Sequence, residues 1–399
     1  MNPLFLTHFT NVTALGRGNQ AMFSALSERR SGLSPCDFQD TKLNTYIGRV
    51  AGIEDSPFSD ELKHFDCRNN RLALLALQQD GFEEAIVRAR EQYGAHRIGV
   101  ILGTSTSGIL ETEHAYRQQR NSESSTLPDT FTSRYQYTHN TFSVAHFVRT
   151  QLQLQGLALV ISTACSSSAK VFASASRYIE AGLCDAVVVG GVDSLCLTTL
   201  YGFASLELES PEPCRPSDIN RNGLSIGEGA GFVLLERQNR DTTSPVVALI
   251  GYGESCDAHH MSHPHPSGAG AILAMQQGLA SSSIQANDID YVHLHGTATK
   301  ANDKTEDHAV SSVLGNQIPC SSTKGWTGHT LGAAGAVEAV IDALCLHHRL
   351  IPGSLNAQTL DPCFSSNIVL NNQEKPISTI LSNFFGFGGN NCSLVFRKI

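Results

Sequence analysis

A short apolar run that stops at a small-residue turn and resumes as a helix constrains the fold of this chain more than any other feature. Leu157 to Ser162 (Leu-Ala-Leu-Val-Ile-Ser) has the length and composition of a buried strand, and Ser166 to Ala181 has helical spacing and ends at Gly182. Cys165, within Thr163-Ala164-Cys165-Ser166-Ser167-Ser168, falls at the turn between them. A thiol so placed faces the unpaired N–H groups and positive end of the helix, which favour the nucleophilic thiolate. An ordinary buried cysteine is the competing reading for any one of eleven, and the strand-turn-helix setting favours the nucleophile at Cys165.

Further apolar runs at His96 to Leu102, Asp185 to Val189, Ile289 to Leu294 and Ser393 to Phe396 read as interior strands separated by helical spacing, an order that implies α/β layers. The polar stretch from Glu207 to Asn222 reads as a long loop, and Gln238 to Pro245 as a boundary between an N-terminal half, 1–240, and a C-terminal half, 241–399. The halves are expected to be alike. Ile318-Pro319-Cys320-Ser321-Ser322, leading through Thr327-Gly328-His329 to a helix ending at His348, echoes the segment around Cys165. The cysteines are odd in number, irregularly spaced and without a CxxC pair, which predicts reduced thiols, no disulfide framework and no zinc ribbon. A net charge of −9 argues against nucleic-acid binding. No basic-then-apolar leader opens the sequence and no run approaches the roughly eighteen apolar residues of a membrane span, so a soluble, cytoplasmic protein is expected.

Three more clusters carry chemistry. His295-Gly296-Thr297-Ala298-Thr299 follows the strand Tyr291-Val292-His293-Leu294, which points His295 into the crevice beyond the strand's carboxyl end; alone, a loop histidine fits equally. In Ser321-Ser322-Thr323-Lys324-Gly325-Trp326-Thr327-Gly328-His329, the nearby helix start favours a neutral imidazole at His329. The Gly/Ser/Thr setting favours a pocket position for Lys324 over a solvated one. Asn383-Phe384-Phe385-Gly386-Phe387-Gly388-Gly389-Asn390-Asn391 reads either as a tight turn or as a loop whose main-chain N–H groups approach a ligand.

Together these segments resemble the β-ketoacyl-acyl-carrier-protein synthases, condensing enzymes of the thiolase superfamily. The resemblance runs from Ala14-Leu15-Gly16 through Thr163-Ala164-Cys165, Asp193, Arg215-Pro216, Gly227-Glu228-Gly229-Ala230-Gly231, His295-Gly296-Thr297, Ser322-Thr323-Lys324 and Gly328-His329 to Gly386-Phe387-Gly388-Gly389, so it covers essentially the whole chain. It implies a thiolase-like duplicated α-β-α-β-α fold, a homodimer or a heterodimer with a related subunit, and acyl carrier protein as partner. No metal or redox cofactor is implied, because the substrates travel as phosphopantetheine thioesters. Cys165 would take the acyl group, with its own N–H and that of Phe387 as the oxyanion hole. His295 and His329, with Lys324 beside them, would stabilise the enolate left when malonyl thioester loses carbon dioxide. Thr297 and Thr299 resemble the threonines that bind pantetheine amides, and Asp303, Glu306 and Glu338 resemble acids that hold Lys324 and the site loops. Apolar neighbours on its helix suggest that Glu338 is buried and paired, although a surface position is the alternative. Phe387 would also gate the acyl pocket beside Phe385. Leu110 and Phe203, like Ile109, line that pocket or merely fill the core.

Three departures stand out. Leu224 occupies a place where relatives carry an aromatic, and Ser205-Leu206-Glu207-Leu208-Glu209 is acidic where relatives offer the carrier an arginine, so docking would fall to Lys63, Arg68 or Arg71. His259-His260-Met261-Ser262-His263-Pro264-His265 is rich enough in histidine for a metal, but its place matches a pantetheine-side loop, and no metal is expected. A chain-length-setting partner subunit and a thiolase-type acyltransferase are the alternatives to a condensing enzyme. Cys392, which follows the glycine-rich loop, reads as a strand residue and not as the second thiolase cysteine.

Overall fold

The computed structural model describes residues 1–56, 58–122, 124–238 and 246–399. The expected boundary at Gln238 to Pro245 falls, beyond its first residue, outside the described residues. Ten strands build the frame: β1 (Leu4–Thr13), β2 (Ile98–Gly103), β3 (Ala158–Ile161), β4 (Ala186–Asp193), β5 (Gly229–Glu236), β6 (Val247–Cys256), β7 (Tyr291–His293), β8 (Pro319–Ser321), β9 (Thr379–Gly386) and β10 (Asn390–Lys398). The four forecast interior strands and the run before Cys165 are all present. β4 runs on through Gly190 and Gly191 to Asp193, since a glycine pair inside a fully buried strand permits close packing that an apolar-run reading misses.

Pairing makes the duplication explicit. The N-terminal half is ordered β1-β5-β4-β2-β3 and the C-terminal half β6-β10-β9-β7-β8. In each, the first three strands pair antiparallel and the last three parallel. β1 and β6 pair antiparallel and join the halves edge to edge. Between the half-sheets lie α1 (Ser167–Glu180), which follows Cys165, and α3 (Ala334–His348), its counterpart. Their apolar side chains share one core with both half-sheets. Outer helices cover the far faces: Arg68–Leu77 and Ser143–Gln151 on the first, and Ala269–Ser282 with α2 (Lys300–Leu314) on the second. The result is the expected α-β-α-β-α layering.

The central helices approach closely because their contact is built from small residues: a Cβ on Gly335 would lie 2.2 Å from the Ala169 nitrogen. Leu331 to His348 is the only helical stretch among the described residues long and apolar enough to cross a membrane, with a mean hydropathy of 1.2. It is instead the core helix, 89% buried, and its two carboxylates, Glu338 and Asp342, are both paired inside the protein. All eleven cysteines are free.

The two half-sheets differ at their outer edges. β8 is extended by a further two-residue strand, Asn367–Ile368, whereas among the described residues β3 has only β2 as neighbour, with its other edge open. β3 is Ala-Leu-Val-Ile, half-buried throughout, and ends four residues before Cys165.

Candidate active site

Every chemically distinctive residue enters the site from the carboxyl end of a strand, where α/β folds place their ligands. Cys165 follows β3, His295 follows β7, Lys324 and His329 follow β8, and Phe387 follows β9. At the Cys165 turn, Ala164 takes a left-handed φ of 53°, and its carbonyl accepts hydrogen bonds from the Ser105 and Ser167 hydroxyls. That strained residue swings the chain from β3 into α1 and presents the thiol.

His329 Nε2 lies 2.9 Å from Cys165 Sγ, and the His295 and His329 rings meet edge to face with centroids 5.4 Å apart. The three side chains bring donor atoms within 4.8 Å of one another; no other trio of His, Cys, Asp and Glu among the described residues does so. His329 is aligned by main-chain bonds to the N-terminal half: its N–H donates to Ser225 O at 2.7 Å and its carbonyl accepts from Gly227 N at 2.9 Å. Both imidazoles are held well below the ordinary histidine range, first by complete burial and then by the Lys324 ammonium. Neutral His329 is therefore as expected, but burial and a lysine cause it more than a helix terminus does.

Cys165 corrects the sequence reading. Burial pushes its thiol up to about 11, against the lowering effects of Lys324 and of the Phe387 and Cys165 N–H groups. The helix start does not win, because the thiol precedes the first residues of α1 in an enclosed site where burial outweighs it. The resting group is a thiol. The Phe387 and Cys165 N–H groups both act on the sulfur, which sets two main-chain donors beside the nucleophile for an oxyanion formed there. Phe387 opens a short turn in which Gly388 and Gly389 have φ of 76° and 74°, conformations that glycine tolerates. A Cβ on Gly386 would lie 2.9 Å from Thr163 O, so glycine there lets this loop touch the nucleophile's turn.

Lys324 and Glu338 form a buried pair at 2.7 Å, with 1% and 3% of their surfaces exposed. Lys324→Met would leave the Glu338 carboxylate uncompensated and should lower unfolding stability by about 3–5 kcal/mol, measured by urea denaturation. Glu306 accepts the N–H groups of His295 and Gly296, both at 2.8 Å, and so orients the His295 turn; burial nonetheless pushes its carboxyl up to about 7. Asp303 accepts from Ala298 and Ser217 N–H. These two acids hold the loops, and Glu338 is the partner that holds Lys324.

A cavity of about 390 Å³ opens on the thiol and is lined by Cys165, His295, His329, Thr297, Thr299, Phe203, Phe385 and Phe387, with Leu224 and Glu207 also on its wall. The threonine hydroxyls face each other at 2.9 Å, and the Phe203 and Phe387 rings stack at 5.5 Å. Leu110 does not line this cavity. It is buried in an apolar cluster with Phe203, Leu224 and Ile109, and it lines a separate cavity beside Arg68. Cys392 is buried in the central core, as its strand position predicts. Two of the three expected docking cations are also spent: Arg68 is buried against Glu228 and Glu54, and Arg71 is bonded to Asp66. Lys63 alone is exposed.

Sequence reasoning gave no role to two residues that tie segments together, Asp193, which it named only within the resemblance, and His293. Asp193 accepts from Ser105, Thr106 and Gly332 N–H groups and so anchors the turn after His329 to the N-terminal half. His293, fully buried, bonds Asp342 through Nδ1 at 2.7 Å and Thr323 through Nε2 at 2.9 Å. Its alternation with His295 along the strand was the only signal available.

The β-ketoacyl synthase N-terminal domain family matches residues 9–241, and the β-ketoacyl synthase C-terminal domain family matches residues 246–358. A 3-oxoacyl-[acyl-carrier-protein] synthase 2 from Synechocystis sp. is 30% identical over 409 residues, covering 97% of this chain and 96% of that protein. The mitochondrial 3-oxoacyl-[acyl-carrier-protein] synthase of Arabidopsis thaliana is 39% identical over 255 residues, which is 59% of this chain and 55% of that one, so this match spans about half the relative. Among solved structures, a chain of the complex of the ketosynthase ApeO with its chain length factor ApeC from Xenorhabdus doucetiae superposes with a TM-score of 0.90 at 35% identity, covering 100% of this chain and 98% of that one. A β-ketoacyl synthase from Burkholderia phymatum gives 0.88 at 27%, covering 100% of both chains. With the cysteine, two histidines and glycine-rich loop gathered on one cavity, the chain belongs to the β-ketoacyl synthase family.

Proposed function

We propose that the chain is a 3-oxoacyl-acyl-carrier-protein synthase of fatty-acid or polyketide biosynthesis, in which Cys165 carries the growing acyl group. The observation that carries this reading is the 2.9 Å contact between Cys165 Sγ and His329 Nε2 at the base of a cavity that His295 and the Phe387 N–H also face. In the first half-reaction Sγ bonds to the thioester carbonyl carbon, the bond to the pantetheine sulfur breaks, and the thiol proton passes by way of His329 to the departing sulfur. The Phe387 and Cys165 N–H groups hold the tetrahedral oxyanion. A malonyl thioester then occupies the cavity, its amides against Thr297 and Thr299. Its carboxylate leaves as carbon dioxide, and the electron pair becomes an enolate whose oxygen accepts from the His295 and His329 imidazoles. The enolate carbon attacks the acyl carbonyl, Sγ leaves and regains a proton, and the product is a 3-oxoacyl thioester two carbons longer. Two neutral imidazoles suit this better than cations, because they donate to the enolate without repelling the Lys324 ammonium. Phosphopantetheine thioesters supply all the chemistry, with no added cofactor.

The partners follow from the same reading. Acyl carrier protein delivers both substrates. The open, half-buried apolar edge of β3 calls for a second condensing-enzyme chain, since an uncovered strand edge beside a working nucleophile invites aggregation. A related subunit in that place would parallel the solved ApeO–ApeC complex. A reducing cytoplasm suits eleven unpaired thiols.

Purified protein incubated with malonyl-carrier protein and a panel of acyl-carrier proteins tests the proposal by intact mass spectrometry. An acyl adduct on Cys165 and a 3-oxo product two carbons longer are expected. Absence of any adduct, with a second subunit also supplied, would sink the assignment.

A further inference from the structure

The outward face of α2 starts at the cavity mouth and carries no available acid. Lys300 lines the catalytic cavity, and Lys304 and His308 follow at four-residue intervals, a row about 12 Å long on one face of a helix. All three are exposed, and neither lysine is in an ion pair among the described residues. Of the acids of this helix, Asp303 and Glu306 bond the loop after β7, and Asp307, which also lines the groove beside the row, is buried with its carboxylate taken up by the Ser365 and Ser366 N–H groups. Facing the row across a groove of about 740 Å³ are His259, His260 and His263. His263, Pro264 and Ala301 line both this groove and the catalytic cavity, so the two adjoin. In a chain of net charge −9, a groove with one exposed lysine, Lys304, among four imidazoles, and with its one acid bonded internally, departs from the prevailing charge.

We infer that this groove, between α2 and the histidine-rich loop, is where an acidic carrier protein docks and from which its phosphopantetheine arm reaches Cys165. The inference rests on the carrier-protein reading above and moves docking from Arg68 and Arg71, which are spent internally, to Lys304 and His308. Three features favour an acidic carrier over another partner. The groove adjoins the catalytic cavity, its exposed cations lack internal acids, and the arm brings an anionic phosphodiester for which Lys and imidazole N–H groups are donors. The loop is also fixed to the catalytic turn: Gly388 N–H donates to Met261 O at 2.7 Å, and Asp257 N–H to Gly389 O at 2.9 Å. A carrier seated here therefore bears on the loop that holds the Phe387 N–H.

The test compares one acyl group on two carriers, acyl-carrier protein and free acyl-pantetheine, in wild type, Lys304→Glu with His308→Glu, and Lys63→Glu. The double variant should raise KM for the protein-borne donor about tenfold, move KM for acyl-pantetheine by less than about twofold, and flatten the rise of the protein-borne KM with salt. An equal rise for both donors would overturn the inference, because the groove would then serve the arm or the fold and not the carrier. So would a wild-type KM in the double variant alongside a raised KM in Lys63→Glu. Loss of all activity on acyl-pantetheine in the wild type would instead count against the condensing reaction itself, so the two failures are distinguishable.

Discussion

Cys165→Ala is expected to abolish acyl transfer while leaving malonyl decarboxylation measurable. Acylation needs the sulfur as the atom that forms the bond, so condensation should fall by about 10⁴-fold or more. Decarboxylation needs only a malonyl thioester in the cavity and donors for its enolate oxygen, and His295 and His329 remain. Their positions do not depend on the thiol: His295 is oriented by Glu306, and His329 by main-chain bonds to Ser225 and Gly227. Intact mass measurement for the adduct and carbon dioxide release for the second activity separate the two steps. Self-acylation that persists in the variant would place the nucleophile elsewhere.

His329→Ala should be the second severe lesion, with the opposite emphasis. It removes a neutral donor facing the enolate, and loss of such a group costs about 10²–10³-fold in rate; decarboxylation should fall to that extent or further. It also removes the Sγ contact at 2.9 Å, so acylation should slow as well, but less, because the Phe387 and Cys165 N–H groups still face the sulfur. Decarboxylation left intact while acylation is blocked would reverse the division of labour assigned to the two histidines. The imidazoles are neutral at ordinary pH, so any acidic limb in the wild-type pH profile should fall well below the usual histidine range, where protonation removes the donor-acceptor balance.

How legible all this was in the sequence depends on the distance over which each feature is determined. The strand before Cys165, the helix after it and the echo at Cys320 are local patterns that suggested two similar halves, while the five layers were implied by the family resemblance. Glu338 was legible for the same reason, since its apolar helical neighbours make an exposed carboxylate unreasonable. The thiol's protonation was not legible. The helix start is visible in the sequence, whereas the enclosure that outweighs it is made by segments more than a hundred residues away, among them those that carry His295 and His329. Arg68 was misjudged likewise, because the carboxylate that buries it, Glu228, lies 160 residues along the chain. Leu110 could not be assigned between pocket and core because both demand the same apolar side chain.

The protonation state of the resting thiol has a chemical consequence beyond turnover. Electrophiles and peroxides react with thiolates, and the rate at which a cysteine is alkylated or oxidised follows its thiolate fraction. A sulfur held up at about 11, flanked by neutral imidazoles, presents very little thiolate at neutral pH. Slow alkylation of the resting protein by a small thiol reagent is therefore expected, alongside fast acylation when a bound thioester supplies both the electrophile and an oxyanion for the Phe387 and Cys165 N–H groups to hold. Low reactivity at rest and activation by the proper donor thus come from one environment.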